Sequence, residues 1–103
     1  MTFTTDVYDA IAHPARRQVM DVLRDGPRRV NDLAGVFAMS RPAVSQHLRV
    51  LREAGLVGET RVGRERHYHL NAAPLRAVNE WTTQYRTFWE GRLDELGRVL
   101  DRR

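Results

Sequence analysis

Residues 40–57 read SRPAVSQHLRVLREAGLV, and the fold turns on this stretch. Ser40 is a good N-cap, because its hydroxyl can accept from an amide of the first helical turn. Pro42 is tolerated just inside, where backbone amides lack helical partners anyway. At 100° per residue, residues 41–54 divide into two faces. Val44, Leu48, Leu51 and Ala54 point one way, and Arg41, Pro42, Ser45, Gln46, Arg49, Arg52 and Glu53 point the other. Gly55 then ends the helix as a left-handed cap. The stretch predicts a helix of about 41–54 with an apolar underside and a basic, hydrogen-bonding outer face.

Upstream, Ala38-Met39-Ser40 forms a short turn after a helix marked by Val30, Leu33, Ala34 and Phe37, which starts at Asn31 or just before it. Asp25-Gly26-Pro27 is a strong stop. It closes a helix of about 14–24 with Ala15, Val19, Val22 and Leu23 at helical spacing. Pro14 suits that helix's first turn, and His13-Pro14 separates it from a short helix of about 5–12.

Downstream, from Leu56 to Leu70 the period becomes alternating. Two strands are predicted, about 56–62 and 65–70, with Gly63-Arg64 as a hairpin tip. Val62 and Tyr68 are the expected packing residues, while Arg61, Arg64 and Arg66 stay near the tip. Asn71 to Pro74 leads into a last helix of about 75–100, roughly 39 Å long at 1.5 Å per residue. Val78, Trp81, Tyr85, Phe88, Trp89 and Leu96 lie within its apolar stripe, about 140° wide, as do Leu75, Leu93, Val99 and Leu100. The residues before it form too small a unit to cover such a stripe. A large exposed aromatic patch marks an interface, so the chain is expected to self-associate there.

The 103 residues fit a single domain, 1–103, with one core. No run approaches the roughly 18 to 20 apolar residues of a membrane span, and the start MTFTTDVYDA has no secretory pattern. The chain has no cysteine, which excludes disulfides and thiolate metal sites. A cytoplasmic protein fits these features. Net charge is +4, and residues 41–69 hold six arginines against three glutamates. A basic patch concentrated in the middle third is the footprint of a nucleic-acid binder.

The fold class is therefore mainly α with a small β-hairpin. The element order is that of a winged helix-turn-helix, with N- and C-terminal helices forming a dimer interface. The second helix of such a motif enters the major groove by its N-terminus. Arg41 and Arg49 can reach phosphates or a guanine edge. Gln46 can bond adenine in two places, Ser45 can donate or accept, and Pro42 offers apolar surface to a thymine methyl. His47 lies at the edge of the apolar face, where packing and DNA contact are equally open. Arg64 and Arg66 in the hairpin can reach a neighbouring phosphate or the minor groove.

The segment IAHPARRQVMDVLRDGPRRVNDLAGVFAMSRPAVSQHLRVLREAGLV, followed by GETRVGRERHYHL, resembles the ArsR/SmtB winged-helix repressors. The resemblance spans about residues 5–72. It implies a homodimeric repressor that leaves its operator when an inducer binds. It also implies that Ser45, Gln46 and His47 lie in the base-contacting segment. Many members sense metal through Cys-Val-Cys-Asp-Leu, where this chain has Arg29-Val30-Asn31-Asp32-Leu33. Others use histidines on the last helix, and residues 75–100 contain none. The resemblance thus implies a member without metal sensing and with no cofactor.

His67 and His69 share a strand face, a spacing zinc could use with a third ligand, although such residues more often face solvent or DNA. No catalytic triad, phosphate-binding glycine loop or paired carboxylate motif is present, so an enzyme is not expected. The alternative to a sequence-specific regulator is a winged helix used for protein–protein assembly. That reading would predict an apolar or acidic outer face in place of Arg41, Arg49 and Arg52.

Overall fold

The computed structural model describes residues 6–91. The elements are α1 (Val7–Ile11), α2 (Pro14–Leu23), α3 (Val30–Phe37), α4 (Arg41–Glu53), β1 (Val57–Val62), β2 (Glu65–Leu70) and α5 (Leu75–Thr83). Residues 86–91 are helical again.

Short-range chemistry sets most of the boundaries. Asp6 caps α1 by accepting from the Asp9 amide at 2.9 Å. His13 is the N-cap of α2, its Nδ1 accepting from the Ala15 amide at 3.1 Å. Arg29 is the N-cap of α3, and the Asp32 carboxylate accepts from its amide at 3.0 Å. Ser40 caps α4 through the Ala43 amide at 3.3 Å. At the far end of α4, Gly55 takes φ +77°. Its amide donates to Arg52 at 2.9 Å, and that of Leu56 donates to Leu51, also at 2.9 Å. This is a Schellman closure, and Leu51 and Leu56 supply the buried apolar pair that accompanies it.

Val44, Leu48 and Leu51 are buried on the underside of α4 against Val19 and Leu23 of α2 and Leu33 of α3. Each such side chain contributes about 1.5–3 kcal/mol on leaving water. Val57 and Tyr68 continue the core into the hairpin, which pairs antiparallel from Val57↔Leu70 to Val62↔Glu65. Gly63, at φ +64°, provides the positive φ that the two-residue tip requires.

Two expectations change, and one pairing is added. Val62 does not pack; it is 55% exposed, because the closing pair of the hairpin lies beyond the reach of the core. Arg28 joins the hairpin as an extra bridge, its amide donating to Tyr68 at 2.9 Å and its carbonyl accepting at 2.8 Å. The helix expected over 75–100 is interrupted at residues 84–85. There the Gln84 and Tyr85 amides donate to carbonyls three residues back. Thr82 and Thr83 explain the break: their hydroxyls donate to Val78 and Asn79 carbonyls at 2.6–3.2 Å, competing with the helical ladder. Leu93, Leu96, Val99 and Leu100 lie outside the described residues.

Candidate nucleic-acid interface

The outer face of α4 is held open by the packing beneath it. Arg41, Pro42, Ser45, Gln46 and Arg49 are all exposed, while the underside is buried. Ser40 and Pro42 open the helix cleanly, the Ala43 amide being taken by the Ser40 hydroxyl and Pro42 having no amide hydrogen to satisfy. The hairpin rises next to this end. An open cleft of about 390 Å³ lies between them, lined by Arg29, Val30, Asn31, Arg41, Ser45, Arg64, Glu65, Arg66 and Tyr68. Arg41 and Ser45 of α4 thus meet Arg64 and Arg66 of the hairpin across one concavity.

The cations of this face are not equivalent. Among the described residues, Arg41 and Arg64 form no ion pair. Arg49 bonds Glu53 one turn on at 3.3 Å, and Arg66 approaches Glu59 at 3.7 Å. Glu59 also takes Arg52 at 2.8 Å, which ties α4 to β1. Arg29 donates to Asp32 and, at 2.9 Å, to Glu65. That contact, with the His67 bond at 3.3 Å second, holds the Glu65 carboxyl below the usual carboxylate range. Asp32 is lowered for the same reason, chiefly by its bond from Arg29.

His47 departs from the expected group. It is half-buried, and its ring lies 5.0 Å from that of His13 at the start of α2, away from the cleft lining. Its Nδ1 is buried without a hydrogen-bond partner. Burial first, then the neighbouring His13 and Arg16, push its pKa below the ordinary imidazole value. His67 and His69 are both on the hairpin, but they face different neighbours. His67 bonds Glu65, while the His69 ring lies over Gly58, where an added Cβ would approach it to 2.5 Å.

The second open surface is apolar. Leu75 and Val78 of α5 pack partly against the core, whereas Trp81, Tyr85, Phe88 and Trp89 are exposed, Phe88 to 71%. The rings form a chain. Tyr8 of α1 meets Trp81 edge-on at 5.9 Å, Trp81 meets Tyr85 at 5.6 Å, and Tyr85 meets Phe88 at 6.3 Å. The Tyr8 hydroxyl donates to the Ala77 carbonyl at 3.3 Å, fixing α1 beside α5. Among the described residues, no helix is long and apolar enough to cross a membrane.

Helix-turn-helix, hairpin wing and basic concavity together define a winged helix-turn-helix DNA-binding protein. Residues 13–59 match the family model described as bacterial regulatory protein, arsR family. The chain is 37% identical over 94 residues to an HTH-type transcriptional regulator of Mycobacterium tuberculosis, covering 91% of this chain and 85% of that protein. It is 32% identical over 80 residues to the transcriptional repressor SdpR of Bacillus subtilis, covering 78% and 89%. A solution structure from Mycobacterium bovis is similar with a TM-score of 0.64 and 28% identity, covering 77% of this chain and 76% of that one. That protein is described as a homodimeric winged helix-turn-helix DNA-binding domain of a possible ArsR-family transcriptional regulator. The chain belongs to the ArsR family of bacterial regulatory proteins, and its function is transcriptional regulation through DNA, not catalysis.

Proposed function

We propose that this chain is a cytoplasmic, homodimeric repressor that binds a pseudo-palindromic operator and leaves it when an inducer binds. Its 103 residues act as a single domain, with α4 as recognition helix, the hairpin as wing and α5 together with the helical residues 86–91 as the dimerisation segment. One observation carries the reading: Arg41 and Ser45 of α4 line the same open cleft as Arg64 and Arg66 of the hairpin. A groove edge presents base atoms flanked by phosphates, and this cleft presents short polar groups flanked by guanidinium groups.

In this arrangement Ser45 and Gln46 meet base edges, and Pro42 meets a thymine methyl. Arg41, Arg49, Arg64 and Arg66 meet phosphates. SdpR supports the repressor assignment, and the Mycobacterium bovis relative supports the dimer. Two recognition helices related by a two-fold axis read half-sites about 10 base pairs apart, or a multiple of that.

The test begins with selection of a preferred duplex from a random library. Wild type, Gln46→Ala and Ser45→Ala are then titrated on that duplex and on a scrambled one across a salt series. Gln46→Ala should cost about 1–3 kcal/mol on the preferred duplex and much less on the scrambled one. Undiminished preference in both variants would place recognition outside α4 and favour an assembly module.

A further inference from the structure

We infer that Arg29, at the start of α3, is a positioning residue for DNA binding: it holds the wing in place and masks the Glu65 carboxylate that the wing tip would otherwise turn toward phosphate. The inference rests on the DNA-binding reading of the cleft. Glu65 stands between Arg64 and Arg66 in sequence, and it lines the same concavity. An unpaired carboxylate there would oppose a phosphate backbone and offset the gain from either arginine.

Arg29 answers this with its planar fork. Nη2 and Nε reach the two Asp32 oxygens at 3.1 and 3.2 Å, while Nη1 reaches Glu65 Oε1 at 2.9 Å. Asp32 is fixed in turn by its bond from the Arg29 amide at 3.0 Å. The guanidinium therefore bridges the first turn of α3 to the base of the wing tip, across 36 residues of sequence. Next to it the Arg28 backbone exchanges two hydrogen bonds with Tyr68 of β2. Backbone bridge and side-chain fork join the wing to the helix-turn-helix at adjacent residues.

Both partners are about half exposed, and exposed ion pairs contribute little to folding. A bridge of this kind shows itself in what the wing binds, with little change in thermal unfolding. Arg29 donates all three of these bonds to carboxylates of its own chain. Its task is therefore distinct from that of Arg64, which has no ion pair among the described residues.

A double-mutant cycle on the selected and scrambled duplexes tests this, with Arg29→Gln, Glu65→Gln and the double variant at fixed salt. Glu65→Gln should raise affinity roughly five- to tenfold more in the Arg29→Gln background than in the wild-type background, as contacting charges couple on this scale. Arg29→Lys keeps the cation without the fork and should restore part of that coupling. It also carries the cycle if Arg29→Gln loses its fold. Additive effects, with Arg29→Gln lowering the salt slope by about one unit, would make Arg29 a plain phosphate contact and overturn the assignment. A wild-type chain that binds neither duplex would overturn the DNA-binding reading itself, a result distinct from additivity.

Discussion

The molecule has two open surfaces, and they are unfinished in different ways. On the cleft side, Val44, Leu48 and Leu51 of α4 are already packed, and apart from Pro42 what faces outward is charge and hydrogen-bonding capacity that water can satisfy. On the terminal-helix side, Tyr8, Trp81, Tyr85, Phe88 and Trp89 present aromatic area that water does not satisfy. The first surface is stable alone and gains only when a polyanion arrives. The second is costly alone and is relieved by any matching apolar face, of which a second copy is the nearest. On the proposed reading, one side sets what the protein reads, and the other sets how many reading heads act together.

The strongest way to break this contrast is to make the apolar side polar. Trp81→Glu with Phe88→Glu should leave the fold intact, because both side chains are at least half exposed. Buried aromatic anchors typically contribute 2 kcal/mol or more each, so association should weaken by about a thousandfold for the pair. Sedimentation should then give 11.9 kDa where wild type gives twice that mass. Affinity for a two-half-site duplex should fall with it, and affinity for a single half-site should not. A double variant that stays dimeric would place the interface elsewhere.

The next test stays on the basic side and separates the two kinds of arginine. Arg64→Ala removes a cation with no ion pair among the described residues, so affinity for selected and scrambled duplexes should drop together. The slope of log affinity against log salt should fall by about one unit. Arg52→Ala removes a cation already bonded to Glu59, so its slope should change less. Equal slopes in the two variants would mean that the ion pairs seen here do not survive in the complex.

His47 sharpens the boundary of the reading face. Its pKa is lowered in the folded chain, mainly by burial, so protons bind more strongly to the unfolded chain. The stability it contributes is present above the unfolded value, near pH 6.5, and is lost as pH falls through the lowered folded value. His47→Leu replaces the orphaned Nδ1 with carbon. Neutral-pH stability should rise by about 1 kcal/mol, and the acid-side slope should flatten. Thermal unfolding between pH 5 and 8 measures both. If His47→Leu lost operator preference in step with Gln46→Ala, His47 would belong on the DNA face after all.

Much of the cleft was legible in the sequence because local chemistry specifies it. Ser40, Pro42 and Gly55 mark the ends of α4, and its two faces separate at helical period. What stayed hidden was non-local. The Arg28–Tyr68 bridge is a single extended residue with no alternation to reveal it. The Arg29–Glu65 contact joins residues that only the folded hairpin brings together. His47 sits at the edge of an apolar face, and its partner His13 reads as a mere helix boundary. The break after Thr83 was masked because the aromatic stripe keeps its helical period through it, although paired threonines were a usable signal. Val62 was misread because alternation gives a strand's faces but not how far the core extends beneath it.

The smallest expected effect lies in the turn between α3 and α4. Ala38 closes α3 at φ 51°, ψ 36°, the left-handed region, with the Met39 amide donating to Ala34 at 3.2 Å. A residue with a Cβ adopts this conformation at a cost of about 1–2 kcal/mol. Ala38 is exposed, so its methyl group recovers little by packing. Ala38→Gly removes the strain but adds freedom to the unfolded chain, worth roughly 0.4–1 kcal/mol in the opposite direction. The net should be a gain between about zero and 1.6 kcal/mol in denaturant unfolding. Because the turn lies between two packed helices of the basic side, the dimer constant should not move. A loss above about 1 kcal/mol would show that the Ala38 methyl is used in the native state. The turn would then stiffen α4 against α3 as well as join them, and operator affinity should fall in parallel.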